Sequence, residues 1–377
     1  MEIIEVKAEQ PYNVYFGEGV LNEAPRILKP TAETDPSFLV VTDKNVARHY
    51  LKPFVSILKD SGFRVRYAVF NPGESLKSSQ NLDKLLHKMV GFGLARDSVV
   101  IGLGGGVIGD FSGFAASVYM RGIGFIQIPT TLLAQVDSSI GGKVGINLKE
   151  GKNLVGSLKS PLFVLIDPST LHTLGARQIV LGLAEIIKAG LIFDEHLFEK
   201  IENFFNKHFE TEKTVSPEEL KTTLLKDREL LSKIITNSIK IKRDIVEKDE
   251  KESGLRMILN FGHTFGHAIE NFLHYRNLLH GEAVILGMRI AVELSSSLGM
   301  LPESERARIE KLLCRLPIPR VERIDAKHIC SRIERDKKKR GGRVHYVLLR
   351  EIGNAVTETD VDRKMVARAI DHILRRG

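Results

Sequence analysis

The chain has 377 residues, 55 of them Lys or Arg and 47 Asp or Glu, for a net charge of +8, and 43% are hydrophobic. This is a globular composition with enough apolar residues for two cores, and it excludes disordered, collagenous and coiled-coil classes. The longest uncharged run, residues 122–136, spans 15 residues, contains Pro129 and is too short to cross a bilayer.

In chain order, residues 38–42 form a β-branched run that predicts a buried strand, 45–59 a helix, 64–70 a strand, 78–90 a helix and 98–103 a strand. Two more short apolar runs, 125–128 and 162–166, predict further strands, the second closed by Asp167-Pro168. Strands alternating with helices imply a parallel sheet. From residue 184 to 292 helical periodicity dominates, and 219–248, with no Gly or Pro inside, predicts the longest helix. The expected fold is an α/β N-terminal domain with a parallel Rossmann-like sheet, residues 1–170, and a mainly α-helical C-terminal domain, residues 171–377.

After the strand at 98–103 comes Gly104-Gly105-Gly106-Val107-Ile108-Gly109-Asp110. Gly104, Gly106 and Gly109 have GxGxxG spacing at a strand-to-helix turn, where missing Cβ atoms let backbone N–H groups approach a pyrophosphate. The usual dinucleotide fingerprint places an acid about 20 residues further on, yet residues 122–136 contain none. Asp43, at the end of the first predicted strand, is the natural alternative for a ribose. Gly142-Lys143 is not a Walker loop, because Asp137 and Val144 stand where Gly and Ser or Thr are required.

The second chemical region is Asn260-Phe261-Gly262-His263-Thr264-Phe265-Gly266-His267, followed by His274 and His280. His263 and His267 are four apart, so on a helix both rings share a face, as a metal site requires. Thr264 stands where HExxH chemistry needs Glu, so that protease class is excluded. His274 or His280 can add a nitrogen and a carboxylate can complete the set. Glu185 and Lys188, three apart in an apolar helical stretch, share an inward face, where charges must be paired or functional. Lys242 and Arg256 flank an acidic turn and can serve the same pocket as Asn260.

Together with Arg121-Gly122, Gly142-Lys143 and the run Ile128-Pro129-Thr130-Thr131-Leu132-Leu133-Ala134-Gln135-Val136-Asp137-Ser138-Ser139, these blocks resemble the 3-dehydroquinate synthases of the sugar phosphate cyclase family across residues 43–353. The resemblance implies one divalent metal, zinc or cobalt, on Glu185, His263 and His280, with His267 a catalytic neighbour. It implies NAD contacts from Asp43, Glu74, Lys77, Gly105, Gly106, Val107, Ile108, Gly109, Asp110, Thr130, Thr131, Lys143, Lys152 and Thr173. Asp137, Lys143, Asn153, Lys188, Lys242, Arg256, Asn260, His267 and Lys337 match positions around the substrate, and Lys152 one where cofactor and substrate meet. Arg121 matches one that reaches the substrate phosphate across a homodimer interface. The implied reaction is cyclisation of a phosphorylated seven-carbon keto acid: oxidation by NAD, β-elimination of phosphate, return of the hydride, ring opening and aldol closure. The sequence departs from the family pattern at Val144, Gly175, Gln178 and Leu181.

A pI near 9.3 fits either a nucleic-acid binder or an enzyme for an anionic substrate. A nucleic-acid reading built on the basic run from Lys337 to Arg343 leaves the inward Glu185 and His263 unexplained. A metal-dependent alcohol or polyol dehydrogenase of related fold also joins a Gly-rich turn to a His-bearing helical domain, but a small neutral alcohol has no use for so many cations. The sequence thus points to an anionic sugar phosphate, with neither nucleic acid nor membrane as partner. Cys314 and Cys330 are the only cysteines, too few for a disulfide framework or a cysteine-based zinc site. The opening Met1-Glu2-Ile3-Ile4-Glu5 carries two acids and no basic segment, so a cytoplasmic location is expected.

Overall fold

The computed structural model describes the chain except residues 33–35, 212, 251–253, 274–277, 321–324, 340–342 and 377, and except the side chains of 31, 32, 335–339 and 376. Two compact units result: Met1–Gly175 with Lys242–Glu247, and Ala176–Ile241 with Lys248–Gly377.

The first unit contains β1 (Glu2–Val6), β2 (Tyr12–Phe16), α1 (Ala24–Leu28), β3 (Ser37–Asp43), α2 (Lys44–Val46), α3 (Lys52–Asp60), β4 (Arg64–Phe70) and α4 (Ser79–Gly91). It continues with β5 (Val99–Gly104), α5 (Gly106–Val118), β6 (Gly124–Pro129), β7 (Lys143–Leu148), β8 (Gly151–Leu158) and β9 (Phe163–Ile166). Seven strands form one sheet in the order β1-β2-β9-β6-β5-β3-β4. All neighbours are parallel except the β1–β2 pair. Period-2 alternation explains why both faces are apolar. Leu39 and Val41 point into a cluster with Leu85, Met89, Ile108 and Phe111, whereas Phe38 and Val40 point into another with Phe54 and Leu58. Because β4 lies on one side of β3 and β5 on the other, the strand order reverses between β3 and β5, and ligands of such sheets bind beyond the strand ends at that point.

The predicted 45–59 helix is present as one helical run from Lys44 to Asp60 that is not α throughout. Residues Ala47–Leu51 open into a wider π turn before α3, whose first turn holds Pro53. Proline has no N–H to give an α-helical ladder, and the wide turn absorbs the defect. The departure at Val144 is a packing choice, since its side chain is buried in the first of those clusters.

The second unit is built from α6 (Ala176–Phe193), α7 (Glu195–His208), α8 (Pro217–Lys226), α9 (Arg228–Lys248, of which Lys242–Glu247 belong to the first unit), α10 (His263–Phe272), α11 (His280–Ser297), α12 (Glu303–Leu313), α13 (Ala326–Lys339) and α14 (Arg363–Arg376). A hairpin of β10 (Tyr346–Glu351) and β11 (Asn354–Glu358), not foreseen in the sequence, joins them. The predicted 219–248 helix is two helices. Asp227 leaves the helical region and its Oδ1 accepts the Leu230 N–H at 3.0 Å, so it acts as an N-cap between α8 and α9.

Glycines set the spacing of the central helices. A Cβ on Gly287 of α11 would overlap the Gly262 carbonyl oxygen, and one on Gly266 would lie 2.9 Å from the Ala283 oxygen. A Cβ on Gly281 would lie 2.7 Å from the Leu181 Cα of α6. The three backbones therefore touch without intervening side chains. Gly287→Ala must push α10 from α11, and overpacking of this kind costs about 1–3 kcal/mol or more. Thermal unfolding should show a clearly lowered midpoint; an unchanged midpoint would mean that the helices separate at no cost.

Candidate active site

In the first unit the glycine turn follows β5. Its Gly105 precedes α5 with no side-chain cap, so the leading N–H groups of that 13-residue helix are open to an anion. Each glycine is also sterically required. A Cβ would lie 2.9 Å from Thr131 Cγ2 at Gly105, 2.8 Å from Ser138 Oγ at Gly106 and 3.0 Å from Gln127 Oε1 at Gly109. Within α5, Val107 is half-buried and Ile108 is buried. Asp43, at the end of β3 beside the switch point, caps α2 through Oδ1, which accepts from Asn45 N at 2.8 Å and Val46 N at 3.2 Å.

Near the glycine turn a polar network ties several predicted residues together. Lys77 is buried, donating to Asp110 Oδ2 at 2.6 Å and to the Asn153 side-chain oxygen, with Glu74 Oε1 at 3.9 Å. Burial pushes the Asp110 carboxyl up, and the charge of Lys77 opposes that shift. Asn147, absent from the sequence reading, links the network: its amide donates to Glu74 at 2.7 Å and its carbonyl oxygen accepts from Asn153 N at 2.8 Å.

Thr130 is buried at the end of β6. Thr131 Oγ1 accepts from Ala134 N at 3.2 Å, and Thr173 Oγ1 lies 2.6 Å from the Tyr50 hydroxyl. Lys143 and Lys152 are exposed on the β7–β8 hairpin. Lys242 is bonded to Asp137. Among the described residues, Met120, Arg121 and Asn153 are the non-glycine positions with positive φ, a backbone state that costs about 1–3 kcal/mol and concentrates at functional sites. Two of the three are predicted site residues.

In the second unit α6, α10 and α11 bring four chemical groups together. Glu185 and Lys188 are both buried, with Lys188 Nζ 2.5 Å from Glu185 Oε2. That approach is an ion pair without hydrogen-bond alignment, so Oε2 lacks an aligned donor. Glu185 Oε1 lies 3.7 Å from His263 Nε2 and 3.9 Å from His280 Nε2. Both Nδ1 atoms are occupied, His263 facing the Phe261 carbonyl at 3.1 Å and His280 facing Glu270 Oε2 at 3.1 Å. With Nδ1 engaged in each ring, it is the Nε2 edge that faces the Glu185 carboxylate. Burial, followed by the charges of Lys188, His280 and His267, holds the His263 imidazole well below the ordinary histidine range. It is neutral at pH 7, the ligating form.

His267 is exposed one helical turn beyond His263, their ring centroids 5.3 Å apart. Ligand atoms of His263, His267 and His280 lie within 4.8 Å of one another. The two distances from Glu185 Oε1, 3.7 Å to His263 and 3.9 Å to His280, come near the roughly 3.4 Å ligand separation of a tetrahedral site with bonds near 2.0–2.1 Å. Glu185, His263 and His280 fit zinc or cobalt, with a fourth position left for a substrate oxygen. Arg256 is buried, its guanidinium donating to the Glu250 carbonyl at 2.8 Å, and Asn260 is half-buried just before α10. Lys337 lies in the last turns of α13 with its side chain outside the described residues, and His274 is also outside them.

Residues 67–181 match the 3-dehydroquinate synthase N-terminal family and residues 182–339 the 3-dehydroquinate synthase C-terminal family. The 3-dehydroquinate synthase of Thermoanaerobacter pseudethanolicus is 44% identical over 352 residues, 93% of this chain and 94% of that one. The chain belongs to the 3-dehydroquinate synthase family. A solved structure of 2-epi-5-epi-valiolone synthase from Streptomyces hygroscopicus subsp. jinggangensis, with NAD+ and Zn2+ bound, is 28% identical with a TM-score of 0.84, covering 99% of each chain. A 2-deoxy-scyllo-inosose synthase complexed with carbaglucose-6-phosphate, NAD+ and Co2+ is 26% identical with a TM-score of 0.81, covering 98% of this chain and 99% of that one. The α/β unit and the helical unit expected from the sequence are both present, and no helix among the described residues is long and apolar enough to cross a membrane.

For this member of the 3-dehydroquinate synthase family, the donor geometry predicts about one zinc or cobalt per chain. Elemental analysis of a His263→Ala, His280→Ala double variant should find the metal gone; intact metal content would reject these ligands.

Proposed function

We infer that the chain is a 3-dehydroquinate synthase that converts 3-deoxy-D-arabino-heptulosonate 7-phosphate to 3-dehydroquinate and phosphate in the shikimate pathway, using NAD and one divalent metal, zinc or cobalt. The observation that carries this reading is 44% identity over 93% of the chain to a relative of that name. When bound, NAD supplies a reversible hydride acceptor and the metal a Lewis acid for a substrate hydroxyl.

Glu185, His263 and His280 hold the metal, and His267 stands beside it as a polar catalytic group. The uncapped start of α5, with Gly105, Gly106, Val107, Ile108 and Gly109, receives the pyrophosphate of NAD, and Asp43 takes a ribose. Glu74, Lys77, Asp110, Thr130, Thr131 and Thr173 complete the cofactor contacts, and Lys143 and Lys152 serve cofactor and substrate alike. Asp137, Asn153, Lys188, Lys242, Arg256, Asn260 and Lys337 attend the substrate. A ligand with both a carboxylate and a phosphate needs several fixed cations, a need that a neutral polyol lacks.

A homodimer with Arg121 donated to the partner's site is supported by two features. Arg121 has φ 69°, a held conformation. Val118 and Met120, next to it in the chain, are exposed, as are Leu154, Leu158 and Leu162, and Ser157 Oγ bonds Ser117 Oγ at 2.8 Å, joining the 117–121 segment to β8. Both cysteines are free, which fits the reducing cytoplasm.

Because oxidation and reduction cancel within a turnover, phosphate should appear mole for mole with substrate consumed while the NADH absorbance stays flat. Stoichiometric NADH with no phosphate would replace the cyclase reading with an alcohol dehydrogenase. Mixing inactive Arg121→Ala with inactive Lys188→Ala should restore part of the activity, since a mixed dimer assembles one intact site. No recovery after proven subunit exchange rejects the shared site.

A further inference from the structure

The two imidazoles assigned to the metal are backed differently. His263 Nδ1 meets a neutral backbone carbonyl, Phe261 O, whereas His280 Nδ1 meets the carboxylate of Glu270, each at 3.1 Å. Glu270 is 3% exposed. It lies on α10 seven residues after His263, two helical turns along the same face. A carboxylate carried into the interior is costly unless a specific partner holds it. Its geometry gives it that partner, and the opposite edge of the same ring points Nε2 at Glu185 Oε1.

We propose that Glu270 is a positioning residue for the metal site. It accepts a hydrogen bond from the Nδ1–H of His280, favours the tautomer unprotonated at Nε2, holds the ring toward Glu185 and raises the basicity of that nitrogen as a ligand. His280 needs this more than His263 does. It is the first residue of α11, its side chain is 35% exposed against 13% for His263, and fewer packing contacts restrain an exposed ring. The inference rests on the metal reading above and deepens it.

The test uses full-length wild type, Glu270→Gln and Glu270→Ala, each stripped with a chelator and titrated with zinc in competition with a chromogenic chelator, then loaded with cobalt for visible spectra. Glu270→Gln keeps an acceptor oxygen without the charge and should weaken zinc about 3- to 10-fold; Glu270→Ala should weaken it about 10- to 100-fold. The cobalt ligand-field bands should shift in both, while the metal-free unfolding midpoint of Glu270→Gln stays at the wild-type value, a pattern that a merely structural role would not give. Zinc affinity of Glu270→Gln within twofold of wild type, with an unmoved cobalt spectrum, overturns the proposal even if Glu270→Ala fails to fold. Wild type that binds no zinc or cobalt overturns instead the metal reading on which it rests.

Discussion

The second unit depends on how closely α6, α10 and α11 approach one another. Imidazole and carboxylate side chains reach only a few ångströms from their backbones. Ligands on three helices can therefore converge only if the helices nearly touch. Gly262, Gly266 and Gly287 remove the side chains between α10 and α11, and Gly281 removes them between α11 and α6. The same contact that buries apolar surface thus sets the distances from Glu185 to His263 and His280. Arg177 reinforces it: its guanidinium pairs with both oxygens of buried Glu282 at 2.5 and 2.7 Å, and Glu282 also accepts the Leu279 N–H at 2.8 Å. Leu181, one of the departures from the family pattern, is the α6 residue against which Gly281 packs. That departure therefore alters helix packing and leaves the donor set intact.

Such a centre works against stability in the metal-free chain. Glu185 and Lys188 are both buried, and the attraction between them offsets only part of the cost of removing two charges from water. The apolar remainder of α6 and α11, buried along nearly their whole lengths, supplies the compensating burial. The candidate donor residues are thereby carried by deeply buried helices and not by loops.

Much of the fold was legible because the central strands are continuous β-branched runs, buried on both faces, whose ends are marked by charge or glycine. What was missed has local causes. The β7–β8 hairpin alternates poorly, with β8 exposed over most of its length, so no clean period-2 pattern marks it. The break at Asp227 carries no Gly or Pro, and only the capping propensity of aspartate could have revealed it. In the site, helical spacing selected His263 with His267, since i and i+4 share a face. The structure brings Glu185 and His280 to it from other helices, contacts that no periodicity can encode: the sequence offered His274 or His280 and an unspecified carboxylate, and marked Glu185 as an inward charge, but only family resemblance joined these into one set. Glu270 was findable, because it falls on the same face at i+7 from His263. Asn147 was not, since its role depends on hairpin pairing.

The missing acid after β6 also has a topological explanation. In the usual dinucleotide fold the ribose carboxylate ends the strand that follows the glycine turn in sequence and lies beside it in the sheet. Here the strand in that position is β6, paired with β5 from Val99↔Gly124 to Gly104↔Pro129, and it runs into Thr130 and Thr131 with no acid; β3 flanks β5 on the other side, paired from Phe38↔Val99 to Val41↔Gly102. A carboxylate at the end of β3 borders the same strand end from that other side, although it precedes the glycines by about 60 residues. Asp43 sits there, oriented by the two N–H groups it caps. A requirement read as an offset along the chain is thus a requirement on neighbouring strand ends, and sheet order decides which residue can meet it.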